Sequence, residues 1–85
     1  MSEAGPYRYR ALVLEQLWRH GIQPTERTRP ELVREFVREL YKYEIRRLRD
    51  RMIRKEFPKT EYADRVERLR QGYPILSLLP RHLLE

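Results

Sequence analysis

Residues 28–58 read TRPELVREFVRELYKYEIRRLRDRMIRKEFP, and this stretch decides the fold. Between Glu31 and Phe57 it contains neither glycine nor proline, and most of its residues are good helix formers. The pattern predicts one long central helix over about residues 29–56. Thr28 and Glu31 stand at the spacing of a reciprocal N-terminal cap. Pro30 falls in the first turn, where its missing N–H costs nothing. Pro58 disfavours helical geometry at Phe57. At ~1.5 Å per residue such a rod is roughly 42 Å long.

The stripe along this rod is not straight. At about 100° per residue, Val33, Phe36, Val37, Leu40 and Tyr43 cluster on one side. Tyr41, Ile45, Leu48 and Met52 cluster about a third of a turn away. Two different neighbours are therefore expected, one for each half. In the second half Arg47, Arg51, Arg54 and Lys55 take over much of the azimuth that was apolar in the first.

Working outward, PYRYRALVLEQLWRH predicts a shorter helix over about residues 6–20, with Tyr7, Ala11, Leu14 and Trp18 on one face. Gly21 supplies the left-handed residue that ends it, and Ile22 can fold back on its last turn. The short connection IQPTER predicts an antiparallel pair, in which Trp18, Leu14 and Tyr7 meet Val33, Phe36, Val37 and Leu40. A third helix is expected over about residues 60–71, capped by Thr60 and ending at Gly72. Its Tyr62, Ala63, Val66 and Leu69 would fold back on Tyr41, Ile45, Leu48 and Met52. Residues 1–5 are expected to fray. The reading is a single all-α domain over residues 1–85, a long helix flanked by two shorter ones.

The segment over residues 74–85 is apolar and broken by Pro74 and Pro80, which leaves it extended or in single turns. Tyr73, Ile75, Leu76, Leu78, Leu79, Leu83 and Leu84 need burial, either by closing the core or by docking on another chain. They are the candidate protein interface.

Charge is unevenly spread. The chain carries 19 Lys and Arg against 13 Asp and Glu, a net +6. Residues 46–59 hold seven basic and two acidic groups, so nearly all of the excess lies there. Arg46, Arg47, Arg51, Arg54, Lys55 and Lys59 are accordingly the candidate nucleic-acid or anion-binding residues. The competing reading is a solvated face whose Leu48, Met52 and Ile53 point inward. No exposed aromatic loop accompanies the run, so base stacking is not indicated.

Nothing in the chain suggests catalysis. Cysteine is absent, so disulfides and thiolate sites are excluded. His20 and His82 lie at opposite ends of the chain without ligand partners at metal spacing. Ser2 and Ser77 lack the glycines of a nucleophile elbow. The three glycines stand at expected helix boundaries, not in a phosphate loop. The carboxylates Glu31, Glu35, Glu39 and Glu44 each precede a base by three residues, the spacing of surface ion pairs. No apolar run approaches the ~20 residues of a membrane span, and a cytoplasmic setting is expected. The composition points to a small non-catalytic interaction or assembly protein that works through protein contacts, with itself or another chain. It requires no cofactor, metal or small-molecule substrate. The rival is an accessory protein that binds nucleic acid or the ribosome through the 46–55 face.

Overall fold

The computed structural model describes residues 6–85, so the expected fraying of residues 1–5 lies outside the described residues. Among the described residues three α-helices follow one another: α1 (Ala11–Arg19), α2 (Pro30–Ile53) and α3 (Tyr62–Gln71). Short 3-10 turns occupy Lys59–Glu61, Pro74–Ser77 and Pro80–Leu83. Among the described residues there is no strand, only an isolated antiparallel bridge between Tyr9 and Leu84.

The central helix is present, with both ends built differently from the expectation. Its N-cap is Arg29, in extended conformation, followed by Pro30 in the first turn, and no side chain caps it. Thr28 is spent elsewhere: its hydroxyl accepts the Thr25 N–H at 2.9 Å, and its carbonyl accepts the Tyr9 hydroxyl. At the far end α2 stops at Ile53, three residues before the expected boundary. Lys55 adopts φ 63°, and the N–H groups of Lys55 and Glu56 turn back to the carbonyls of Met52 and Arg51. That is the Schellman pattern with a lysine where glycine is usual, at a backbone cost of roughly 1–2 kcal/mol. α1 ends in the same way with the expected residues: Gly21 sits at φ 76°, and the N–H groups of Gly21 and Ile22 reach Trp18 and Leu17.

α1 begins at Ala11, not at Pro6. The preceding residues are drawn into extended pairing with the chain's last residues. The Arg10 N–H donates to the Leu83 carbonyl (3.0 Å), and the Glu85 N–H to the Arg8 carbonyl (2.8 Å). Tyr-Arg-Tyr-Arg over residues 7–10 alternates with period two, and Tyr9 is buried while Arg8 and Arg10 are exposed. α3 likewise starts at Tyr62, after a 3-10 turn and without a capping hydroxyl from Thr60.

The tail fills the space between α1 and α2. Val13 and Leu17 of α1, Val33 and Val37 of α2, and Tyr9, Tyr73, Ile75 and Leu83 form the main core. The tail runs back along α2 from Tyr73, edge-on to Tyr41, past Arg34 to the Tyr9 bridge. The Arg34 guanidinium donates to the carbonyls of Leu78 (2.8 Å) and Leu76 (2.9 Å), satisfying two backbone acceptors of a segment with little regular structure.

This wedge changes the relation of α1 to α2. The Tyr7 N–H donates to the Glu26 carbonyl (2.7 Å) and Tyr9 bonds Thr28, so α1 starts beside the start of α2. His20, at the other end, donates through Nε2 to the Gly72 carbonyl (2.8 Å) and stacks on Tyr73, 4.3 Å between ring centroids. α1 and the first half of α2 therefore run in the same sense, not antiparallel. Ten linking residues can reach roughly 33 Å when extended, well beyond the ~13 Å of α1, so the connection can run back along the helix. The expected packing of Trp18 on Phe36 does not form either. Trp18 is 56% and Phe36 62% exposed.

α3 folds back on the second half of α2 as the rotated stripe implied, burying Leu48 with Ile45, Met52, Val66 and Leu69 half-buried. Ala63, however, stays exposed, and Tyr41 packs on Tyr73 and the main core instead. Phe57 is buried at the turn. The molecule measures 52 × 19 × 19 Å with a radius of gyration of 15.6 Å, against roughly 12 Å for a compact chain of this length. One end is a layered core; the other is a thin two-helix hairpin.

Candidate functional site

The hairpin carries most of the net charge, and its geometry sorts the basic residues into groups. Arg51 and Arg54 are both engaged with one carboxylate: their Nε atoms lie 3.0 and 3.1 Å from the oxygens of Glu56. Hydrogen bonds from Arg51 and then Arg54 hold the Glu56 carboxyl below its usual range. Lys55 and Lys59 flank the distal turn, where Met52, Ile53, Phe57 and Pro58 border a shallow depression. Arg46 is exposed, about 100° around α2 from Arg47. The six candidates therefore do not form one face.

What the structure assembles instead is a groove of about 410 Å³ between α2 and α3. Glu44, Arg47, Leu48 and Arg51 line it from α2, and Arg65, Arg68 and Leu69 from α3. Four guanidinium-bearing side chains thus share one depression with a single carboxylate residue. Arg65 is partly compensated, with Nη2 3.1 Å from Glu61, and its guanidinium carbon lies 4.1 Å from the centre of the Phe57 ring. Arg47 lies 5.9 Å from the ring centre of Tyr43. Neither Arg47 nor Arg68 takes part in an ion pair among the described residues. Arg65 and Arg68 escaped the sequence reading because residues 60–71 carry three basic and three acidic groups and so are neutral as a whole. Their spacing of three residues, on the helix expected to fold back, was the available signal.

Of the four ion pairs expected along the long helix, Glu35–Arg38 (4.0 Å) and Glu39–Lys42 (3.4 Å) form. Arg34 is diverted to the tail and Arg47 to Tyr43.

The candidate interface in the tail is largely occupied by the chain itself. Tyr73, Ile75 and Leu83 are buried in the main core, and Leu76, Leu78 and Leu84 pack partly against it. Leu79 alone of the seven is exposed. Large apolar side chains are exposed elsewhere: Leu32, Phe36 and Tyr43 on α2, Leu12 and Trp18 on α1, and Ile53 at the hairpin turn.

Among the described residues no cluster of His, Asp or Glu could hold a metal ion, and no helix is long and apolar enough to cross a membrane. Tyr9 has its phenol pushed up to about 12, first by burial and then by Glu31 and Tyr7. Its hydroxyl donates to a backbone carbonyl, a structural role. Comparison of the chain with protein families, with curated proteins and with solved structures found no match in any of the three.

Proposed function

We propose that the protein is a small helical interaction module that docks a protein partner on the outer face of α2. The observation that carries this reading is the stripe of Leu32, Phe36 and Tyr43, each more than half exposed. At about 100° per residue the three fall within about 40° of one another, on the side of the helix turned away from the buried Val37 and Leu48. With the tail spent inside the core, this face aligns three of the seven exposed large apolar side chains among the described residues. Exposed apolar stripes with aromatic members on an ordered helix are characteristic of contact surfaces.

Phe36→Glu and Tyr43→Glu test the reading, because both sites are exposed and folding should survive. A second copy as partner gives a doubled mass in sedimentation at micromolar concentration, reduced to the monomer by either change. A different chain gives a defined species that co-purifies with the unaltered protein, is lost with both variants, and is retained by Leu12→Glu on the other helix. A protein that stays monomeric and retains no species sensitive to Phe36→Glu refutes it.

A further inference from the structure

We infer that the groove between α2 and α3 binds the phosphodiester backbone of a nucleic-acid duplex. The groove is open, and Arg47 and Arg51 on one wall face Arg65 and Arg68 on the other, with Leu48 and Leu69 also lining it. Guanidinium groups from two walls can fork onto phosphate oxygens from both sides. Arg51 and Arg65 are each paired with a carboxylate beyond the lining, Glu56 and Glu61, and Glu44 is the single carboxylate residue among the described lining residues. Arg47 and Arg68, one on each wall, have no carboxylate partner among the described residues.

The chemistry favours an extended polyanion over an isolated phosphate. Arg46, Lys55 and Lys59 are exposed on the same hairpin and carry the positive surface beyond the groove, where a single phosphate does not reach. Duplex is favoured over single strand because no aromatic residue stands among the described residues that line the groove, where it could stack an unpaired base. Recognition then rests on the backbone alone. Binding is independent of sequence and falls steeply with salt. This site differs from the basic face read from the sequence: it adds Arg65 and Arg68, and takes only Arg47 and Arg51 from the original six.

The test uses the full chain and short duplexes of two unrelated sequences at low salt, with a single strand, inorganic phosphate and polyglutamate as comparisons. Arg47→Gln with Arg68→Gln should weaken duplex binding at least tenfold and make the log–log salt slope shallower by about 0.9 for each phosphate no longer neutralised. Arg8→Gln with Arg27→Gln removes the same charge at the other end and should change affinity less than twofold. Glu44→Gln should tighten binding. All five residues are exposed or partly exposed, and unchanged melting temperatures confirm folding. Equal losses in both double variants mean that net charge alone acts, and overturn the assignment. Polyglutamate or inorganic phosphate binding as tightly as duplex overturns it too, as does a preference for single strand or no duplex binding at low salt.

Discussion

Tyr9 and Tyr73 both bury their rings in the main core, yet only Tyr9 donates its hydroxyl to an acceptor, the Thr28 carbonyl. The Tyr73 hydroxyl is buried without a hydrogen-bond partner among the described residues. Replacement by phenylalanine should therefore separate them. Tyr73→Phe removes a desolvated group that gains nothing from folding, and should be neutral or slightly stabilising in a denaturant melt. Tyr9→Phe should cost about 1 kcal/mol at neutral pH. It should also alter alkaline stability. The unfolded phenol ionises near 10 and the folded one near 12, so between those values the unfolded state releases a proton that the folded state keeps. The stabilisation is present in full below pH 10 and is lost as pH rises through 12. The informative quantity is the difference between the two proteins. A Tyr9→Phe variant that loses stability as steeply as the parent would contradict the assignment.

At the scale of the element, the C-terminal segment is held less by its own structure than by Arg34. One guanidinium satisfies the carbonyls of both Leu76 and Leu78, while Ile75 and Leu83 enter the core. Charge-assisted hydrogen bonds of this kind contribute ~1.5–3 kcal/mol, and the two carbonyls lose their donor when it is removed. Arg34→Ala is expected to destabilise the fold by about 2 kcal/mol. Arg34→Lys should not restore this, because an ammonium lacks the planar fork. Arg38→Ala, four residues along and exposed with Glu35, should cost less than about 0.5 kcal/mol. Chemical denaturation of the three variants checks the order, and equal effects at Arg34 and Arg38 would remove the clamp from the account.

Across the whole molecule, stability should be graded along the rod. Among the described residues, eight of the ten buried hydrophobic side chains of the core belong to the layered end, leaving Leu48 and Phe57 for the hairpin. Local opening free energy follows the density of such apolar packing. Amide exchange is therefore expected to be slowest at Leu17, Val33 and Val37 and faster by orders of magnitude through α3 and the last turns of α2. Uniform protection along α2 would show that the rod opens as one unit. The same gradient leaves the arginine groove on the part of the molecule with the thinnest core, where side chains can adjust to a ligand without disturbing the layered end.

The sequence by itself determined the helical content, the long α2 with Pro30 in its first turn, the Gly21 stop after α1, and the return of α3. Each follows from short-range signals: propensity, period and the special backbone needs of glycine and proline. It also showed that the tail had to be buried, because its leucines are too many for a solvated end. Only the tertiary structure decided where. Residues 7–10 became extended instead of helical because the backbone partners of Arg8 and Arg10 lie in the tail, at Glu85 and Leu83, with the Arg10 side chain reaching the Leu84 carbonyl across 74 positions. The sense of α1, the exposure of Trp18 and the meeting of Arg47 with Arg68 follow from that same insertion of the tail and from the hairpin's closure. Local patterns carry no information about which distant backbone groups will meet, and in this protein those meetings set both the core and the groove.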